Sequence, residues 1–234
     1  MKLNELLTID FLKDLNEHKL SQLEDYMFFT LQENEKFNLT AHKEIDSFII
    51  KNILDSLLLV KFIDFDISNK TVIDIGSGAG LPGIPLAIYY TNTKFCLLEP
   101  IKKRANFLEQ VKQKLNLENV TVINGRAEEI FKENDLRFDF ATARAVANLS
   151  ILLELTIPLL KVGGIFMCYK GSNYENELTS SFSALNKLFS STLLVDNCVL
   201  PFSKELRSFI FFKKDKETPN TYPRSYSLIK KKPL

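Results

Sequence analysis

The 234-residue chain has no tryptophan, only three cysteines and only two histidines, and each shortage argues against a class of chemistry. Cys96, Cys168 and Cys198 lie far apart in apolar runs, so there is no Cys-x-x-Cys pair for zinc or redox work, and an odd count does not suit a disulfide framework. Neither His18 nor His42 has neighbours in a pattern typical of nucleophilic or metal chemistry. We expect three buried thiols, no metal site and a reducing compartment.

Long apolar runs are also missing. No stretch approaches the roughly 18 uncharged apolar residues of a membrane-spanning helix, and the acidic, amphipathic N-terminus does not resemble a secretory signal. With 45% hydrophobic and 25% charged residues, the composition is that of a globular protein. We expect a soluble, cytoplasmic protein that makes no contact with a membrane.

The net charge is only +1, but it is unevenly distributed. Residues 201–234 hold nine bases and three acids, a local charge of +6, so the remaining residues together carry −5. A basic tail on an acidic body could bind nucleic-acid phosphates, and it could equally be a solvated, frayed terminus.

Two hydrophobic periodicities divide the chain. Over residues 3–62 apolar residues recur three and four positions apart, which predicts three or four helices, interrupted near Phe37 with Thr40 as a candidate N-cap. After residue 69 short apolar runs alternate with helical patterns. These runs predict strands over 71–75, 94–98, 120–123, 138–142, 165–169, 192–200 and 207–213, with helices over 84–90, 101–116, 148–160 and 174–188.

This alternation favours an α/β fold with a mostly parallel, twisted sheet covered by helices on both faces. The last two strands are joined by about six residues, which is too short for a helical crossover, so they should form an antiparallel C-terminal hairpin. We therefore expect a helical N-terminal extension (1–66), a Rossmann-like domain (67–216) and a basic C-terminal tail (217–234).

The most informative stretch is residues 72–85, Val-Ile-Asp-Ile-Gly-Ser-Gly-Ala-Gly-Leu-Pro-Gly-Ile-Pro, where a buried strand runs through glycines into a helix. In open α/β sheets ligands bind at the carboxyl ends of the strands, and glycines let backbone amides approach them. Asp74 stands two residues before Gly76, an arrangement typical of S-adenosylmethionine enzymes. Residues 78–83 also satisfy the dinucleotide glycine pattern, with Glu99 near the distance expected for a ribose acid, so a nicotinamide or flavin enzyme and a purely structural turn remain alternatives.

Further candidates follow the other strands, at the same edge of the sheet. Glu99 ends the second strand and could accept hydrogen bonds from both ribose hydroxyls of an adenosine, or it could be a surface acid. Glu128 follows the third strand and could lie along the adenine edge, or be an exposed acid in the first turn of a helix. Arg144 follows the fourth strand and could bind the cofactor carboxylate, bind an RNA phosphate, or be a plain surface side chain.

Two motifs of methyltransferases are absent from the sequence. No Asn-Pro-Pro-Tyr or Asp-Pro-Pro-Tyr follows the fourth strand, which argues against an exocyclic amine as acceptor, and no cysteine lies in a loop to attack a pyrimidine. An acceptor that already carries a lone pair, such as guanine N7, needs no base. Positioning the acceptor in line with the methyl group could then supply most of the rate enhancement.

Several segments together resemble the glucose-inhibited division protein B family, the bacterial enzymes that form 7-methylguanosine in small-subunit ribosomal RNA. The resemblance is close over about residues 37–171 and looser elsewhere. Its matching segments are 37–40 (Phe-Asn-Leu-Thr), 53–57 (Ile-Leu-Asp-Ser-Leu), 74–85 (the glycine stretch), 103–104 (Lys-Arg), 126–128 (Arg-Ala-Glu), 144–147 (Arg-Ala-Val-Ala), 158–161 (Pro-Leu-Leu-Lys), 163–164 (Gly-Gly), 170–171 (Lys-Gly) and 222–224 (Tyr-Pro-Arg).

The resemblance implies a monomeric, Rossmann-like class I methyltransferase that uses S-adenosylmethionine and acts on a guanine of 16S rRNA, either free or in the small ribosomal subunit. Three positions depart from the family pattern: Glu99 stands where Asp is frequent, Asn52 where His is common and Ala143 where Ser is often found. The cofactor contacts that the resemblance carries over fall on Gly76, Leu81, Ala127, Glu128 and Arg144, and we add Gly78 and Glu99 from the loop pattern.

The RNA contacts are the least determined part of the interpretation. Arg104, Lys170 and Arg224, with the basic run 224–232, are candidates for phosphate contacts, and Arg144 and Lys170 are candidates for positioning the acceptor. Each could also be a solvated side chain. A methyltransferase acting on a small molecule or a protein, and a binding module without catalysis, remain the alternative functions.

Overall fold

The computed structural model describes residues 2–133 and 136–234. Seven strands form one sheet in the order β3-β2-β1-β4-β5-β7-β6. The strands are β1 Thr71–Ile75, β2 Lys94–Glu99, β3 Val120–Asn124, β4 Phe138–Arg144, β5 Leu160–Lys170, β6 Ser190–Val199 and β7 Leu206–Lys214.

The pairing confirms the predicted topology. Strands β1 to β5 pair in parallel, and β7 pairs antiparallel with both β5 and β6. The neighbours of β1 are β2 on one side and β4 on the other, so the strand order reverses direction at β1. In open α/β sheets, ligands bind beside such a point. One boundary was predicted wrongly, because β5 begins at Leu160 rather than at Ile165.

Helices cover both faces of the sheet. They are α1 Glu17–Asn34, α2 Ile45–Phe48, α3 Asp55–Leu57, α4 Gly83–Tyr89, α5 Lys102–Lys114, α6 Ala127–Glu133, α7 Leu149–Thr156, α8 Tyr174–Ser180, α9 Phe182–Leu188 and α10 Tyr226–Lys231. One buried apolar cluster joins α1, α4 and α5 to the sheet, and a second cluster joins α6, α7, α9 and α10 to it. Successive strand residues alternate between the two clusters, as the period of a strand requires.

The N-terminal extension is helical, as predicted, and packs into the first cluster. Short 3-10 helices at Leu3–Thr8 and Asp10–Leu12 precede α1, and α2 continues through a π-helical segment, Ile49–Leu54, into α3 and a 3-10 turn. The Tyr26 hydroxyl on α1 donates a hydrogen bond of 2.8 Å to the carbonyl of Ala79, in the glycine loop. The extension therefore supports the loop that follows β1.

Three local predictions were wrong. Thr40 does not cap a helix: its hydroxyl accepts from the His42 amide, and α2 begins five residues later, at Ile45. The helix expected over 174–188 divides into α8 and α9 at Ser181, whose hydroxyl donates to the Leu178 carbonyl and so competes with continued helix. The helix α6 was not among the predicted elements.

The C-terminal segment, residues 217–234, is folded against the sheet rather than frayed. Arg224 makes a two-pronged ion pair with Glu154 on α7, with Nε–Oε1 and Nη2–Oε2 distances of 2.8 and 2.6 Å, and Glu154 is fully buried. Ile229 on α10 is also fully buried. Of the nine bases after residue 200, Arg207, Lys214 and Arg224 pair with acidic side chains. The basic patch is therefore smaller than the sequence suggested.

The cysteines lie on strands. Cys96 and Cys168 are buried, as predicted, whereas Cys198 on the edge strand β6 is only half-buried. Burial raises the pKa of the Cys96 and Cys168 thiols to about 12, so both stay protonated at neutral pH. Within residues 2–133 and 136–234, no helix is both long and apolar enough to cross a bilayer, and no three His, Cys, Asp or Glu side chains are grouped to bind a metal ion.

Candidate active site

The glycine loop after β1 forms the floor of the site. Gly76, Gly78 and Gly80 have φ angles of 69°, 59° and 92°, a left-handed conformation that side chains disfavour. The amide of Gly78 donates a hydrogen bond of 2.8 Å to Oε2 of Glu99, at the end of β2. A Cβ at Gly78 would have only the Gly76 carbonyl oxygen nearby, at 3.9 Å. The loop therefore presents its backbone to open space beside an anchored carboxylate.

Asp74 lies beneath this loop and is fully buried. Its Oδ2 accepts from the Gly83 amide at 3.1 Å, while Oδ1 has no hydrogen-bond partner within the described ranges. Burial raises the pKa of Asp74 to about 7, against its ordinary value near 3.8. A Cβ at Gly83 would lie 2.3 Å from Leu97 and 2.8 Å from this carboxylate, so glycine is required there.

A narrow cavity of about 90 Å³ opens beside the loop. Its walls are mostly apolar and come from β1, β2, α7, α10 and the segments after β2 and β3. They include Ile75, Leu98, Pro100, Ala127, Leu155 and Tyr226. Gly76 and Glu128 also line it, and Glu128 is buried. Flat apolar walls with a few polar groups suit an aromatic heterocycle.

A second, larger cavity of about 570 Å³ lies beyond the ends of β4 and β5. It is lined by the loop 145–148 and by polar side chains that include His42, Lys51, Asn52, Arg144, Lys170 and Arg207. Val146 lines both cavities, and its methyl groups lie against Gly76. The two cavities are therefore neighbours on one edge of the sheet.

Asp55 organises the polar cavity. Its Oδ2 accepts from Arg144 Nη1 at 3.0 Å and its Oδ1 from Arg207 Nε at 2.7 Å, with the Asp55 side chain 7% exposed. Arg144 also donates to the carbonyl of Lys51 at 3.1 Å, and Arg207 donates to Glu205 at 2.8 Å. The carboxylate thus holds two guanidinium groups in fixed positions, because charge-assisted hydrogen bonds are short and strong.

Lys170 lines the same cavity at the end of β5, the strand next to β4. Its ammonium donates to Glu177 Oε2 at 2.7 Å and to the Ala147 carbonyl at 3.1 Å, and the same Glu177 oxygen accepts from the Leu149 amide at 2.9 Å. The Lys170 side chain is only 9% exposed. It therefore ties the end of β5 to the loop that carries Val146.

The structure brings some of the predicted cofactor residues together. Gly76, Ala127 and Glu128 line the narrow cavity, and Gly78 and Glu99 form the floor beside it. Leu81 is buried in the turn, where its amide donates to the Ser77 carbonyl. Arg144 lines the adjoining polar cavity instead, and its predicted contact with the cofactor carboxylate stays a prediction.

The three predicted RNA contacts do not form one patch. Arg104 lies on α5, where its guanidinium is 3.4 Å from the carbonyl of Asn38. Lys170 lies at the end of β5, and Arg224 is packed against α7, on the other face of the sheet from α5. An RNA contact by each of them stays a prediction.

Sequence reasoning missed several residues of the polar cavity. Asp55 and Arg207 were not singled out, yet both line this cavity, and so does His42, for which the sequence indicated no nucleophilic or metal role. His42 is paired with Ser47 Oγ at 3.0 Å, and burial, with Arg144 nearby, lowers the pKa of its ring. Asn52, at the usual His position, donates to Thr40 Oγ1 at 3.0 Å. The Ile-Leu-Asp-Ser segment of the family resemblance contains Asp55, and it was the feature of the sequence that could have pointed to this residue.

Solved structures of similar fold define the class of the protein. An O-methyltransferase from Bacillus cereus in complex with SAH has a TM-score of 0.55 at 18% identity, covering 81% of this chain and 90% of that one. The O-methyltransferase TomG from Streptomyces achromogenes, in complex with SAM, has a TM-score of 0.55 at 15% identity, covering 82% and 90%. The fold is that of a class I methyltransferase.

Sequence comparisons define the family. A family model described as rRNA small subunit methyltransferase G matches residues 19–204. A ribosomal RNA small subunit methyltransferase G from Fusobacterium nucleatum is 44% identical over 219 residues, covering 94% of this chain and 93% of its own. One from Alkaliphilus metalliredigens is 40% identical over 222 residues, covering 94% and 92%. The chain belongs to the rRNA small subunit methyltransferase G family, which confirms the resemblance. It is an S-adenosylmethionine-dependent methyltransferase of small-subunit ribosomal RNA.

Proposed function

We propose that the chain transfers the methyl group of S-adenosylmethionine to N7 of a guanine in 16S rRNA, with the adenine end of the cofactor at the narrow cavity, the rest of the cofactor along the glycine loop, and the guanine in the polar cavity. The observation that carries this division is that the narrow apolar cavity and the polar cavity adjoin at Val146. The cofactor supplies an electrophilic methyl group on a sulfonium. The residues of the glycine loop and of the narrow cavity would hold this cofactor, and the lone pair of guanine N7 would accept the methyl group as the sulfonium leaves as a neutral thioether.

The residues around the narrow cavity fit the cofactor. The apolar walls suit the adenine ring. Each carboxylate oxygen of Glu99 accepts a hydrogen bond from a backbone amide. Because a carboxylate has about four acceptor sites, Glu99 keeps lone pairs for ribose hydroxyls. Gly78 leaves room for a close approach to the backbone. We propose Gly76, Gly78, Leu81, Glu99, Ala127 and Glu128 as the cofactor-binding set, with Arg144 as the candidate partner of the cofactor carboxylate.

The polar cavity suits a nucleotide. Its lysine and arginine side chains can pair with phosphates, and the fixed guanidinium of Arg144 at the end of β4 can orient the acceptor. Guanine N7 has a lone pair and loses no proton on methylation, so no general base is needed and positioning carries the rate. We propose Arg144 and Lys170 as positioning groups, with Lys170 acting through the loop 145–148, and Arg104 and Arg224 as candidates for phosphate contacts outside this cavity.

We propose that the chain acts as a monomer, as the resemblance to the family implies. Its substrate is ribosomal RNA, and we propose that it acts in the cytoplasm. Light scattering of the purified protein with and without 16S rRNA would reveal a dimer if this proposal is wrong.

The test of the proposed function is methyl transfer itself. The chain is incubated with tritium-labelled S-adenosylmethionine and with naked 16S rRNA, 30S subunits or assembly intermediates, and the labelled RNA is digested to nucleosides. We expect the label in 7-methylguanosine with at least one of these substrates. Label in another nucleoside, or none in RNA while a protein or small molecule becomes labelled, would overturn the proposal.

A further inference from the structure

Tyr226 is a wall of the narrow cavity that comes from outside the Rossmann-like sheet. It lies at the start of α10, in the C-terminal segment, and it is half-buried. The other walls come from β1, β2, the segment after β3 and α7. Tyr226 therefore closes a side of the cavity that the sheet leaves open, although it lies more than 60 residues after Leu155 in the chain.

The ring of Tyr226 has a fixed partner. The guanidinium of Arg126 lies over it, with Cζ 4.8 Å from the ring centroid, a distance typical of a cation–π contact. Arg126 immediately precedes α6 and lines the same cavity. The contact holds the ring beside the cavity rather than letting it turn into solvent.

The segment that delivers Tyr226 is anchored on both sides of it. Two residues earlier, Arg224 makes the bidentate pair with the buried Glu154, and its backbone amide donates to the same carboxylate at 3.0 Å. Three residues later, Ile229 is fully buried. Glu154 is followed directly by Leu155, which lines the narrow cavity, so the anchor and the cavity wall share one turn of α7.

We propose that Tyr226 forms part of the adenine pocket and that the C-terminal segment positions it there. This inference rests on the proposed function, because it takes the narrow cavity as the site of the adenosine. An aromatic ring beside an adenine base contributes binding through stacking and exclusion of water. The basic C-terminal segment then serves the cofactor as well as any RNA.

The test compares cofactor binding in full-length variants by calorimetry, with S-adenosylhomocysteine and adenosine as probes. We expect Tyr226→Ala to weaken the binding of both probes by about 10-fold, because stacking on a base is lost. Tyr226→Phe, which keeps the ring, should restore both affinities. The matched control is Leu228→Ala, at an exposed position of the same helix, and this variant should bind both probes as the unaltered chain does.

Kinetics separate this role from general destabilisation. Tyr226→Ala should raise the KM for S-adenosylmethionine about 10-fold and leave kcat nearly unchanged, since the lost contact exists before and during transfer. If Tyr226→Ala melts at a lower temperature than the parent, Tyr226→Leu, which keeps apolar bulk, serves for the comparison. Unchanged affinity for both probes in the folded variant overturns this inference alone. No binding of S-adenosylhomocysteine by the unaltered chain overturns the proposed function and this inference together.

Discussion

Asp55 Oδ2 lies 3.0 Å from Arg144 Nη1, and this ion pair joins α3 of the N-terminal extension to the last residue of β4. The helical extension is thus part of the wall of the polar cavity and not a separate attachment. Because Asp55 also binds Arg207 on β7, one buried carboxylate fixes cations from two strands.

Replacing this carboxylate tests whether the polar cavity holds the acceptor. In Asp55→Asn both guanidinium groups lose the carboxylate that they share, and we expect kcat/KM for rRNA to fall about 10- to 100-fold through misplacement of Arg144, because Arg207 still has Glu205 as a partner. The affinity for S-adenosylhomocysteine should change little, because we propose that the adenosine of this ligand binds at the narrow cavity, away from Asp55. Rate assays and calorimetry give the two values.

The matched control is Glu205→Gln, which removes the other carboxylate partner of Arg207. Glu205 is 51% exposed, and exposed ion pairs contribute little. We expect near-parental activity in this control. An Asp55→Asn enzyme as active on rRNA as the parent would contradict the assignment of the cavity.

The contact between Gly83 and Asp74 predicts a steric effect on stability. In Gly83→Ala the new Cβ would meet Leu97 at 2.3 Å and the Asp74 carboxylate at 2.8 Å, so we expect the free energy of unfolding to fall by about 1–3 kcal/mol. Gly171→Ala is the control, since a Cβ there meets nothing within 4 Å. Denaturant titration measures both, and equal stability of the two variants would refute the packing described for Gly83.

Asp74 predicts a pH dependence of stability. Its folded pKa of about 7 lies above the ordinary value of 3.8, so between these values the folded chain holds a proton that the unfolded chain has released. The free energy of unfolding should therefore fall as the pH rises from about 4 to 8.

Asp74→Asn removes this dependence. The free energy of unfolding of Asp74→Asn, minus that of the parent, should increase over the same pH range by at most about 4 kcal/mol. The control is Asp66→Asn, at an exposed acid whose pKa is lowered by hydrogen bonds from Ser68. Thermal melts at a series of pH values give the comparison, and a constant difference between Asp74→Asn and the parent would contradict the raised pKa.

Arg224 predicts how much the C-terminal segment contributes to stability. In Arg224→Met the fully buried Glu154 loses its charged partner, and we expect the free energy of unfolding to fall by about 1–3 kcal/mol. Lys231→Met, at an exposed position of the same segment, should have almost no effect. If Arg224→Met is as stable as Lys231→Met, the ion pair does not anchor the segment.

The sequence was sufficient for the sheet and for the glycine turn after β1 because both are local patterns. The buried run Thr71–Ile75 followed by glycines predicts a strand and a ligand loop, and the short link before Leu206 predicts an antiparallel hairpin. These features depend on residues close together in the chain. The family resemblance then supplied the acceptor and the cofactor.

The polar cavity and the docked C-terminal segment could not be predicted in this way. Arg207 and Asp55 are 152 residues apart, and Arg224 and Glu154 are 70 apart. Periodicity carries no information about such pairs, so Arg224 looked like one base in a solvated run. The position of Tyr226 beside Arg126 could not be predicted for the same reason, because it depends on how the C-terminal segment folds back over α7.

The most direct test of the account is the nucleoside content of 16S rRNA from a strain that lacks this enzyme and expresses either the parent chain or Arg144→Met. We predict 7-methylguanosine in 16S rRNA with the parent, and its loss with Arg144→Met although the purified variant still binds S-adenosylhomocysteine. If the variant restores 7-methylguanosine to the level of the parent, Arg144 does not position the acceptor, and the division of substrates between the two cavities is wrong.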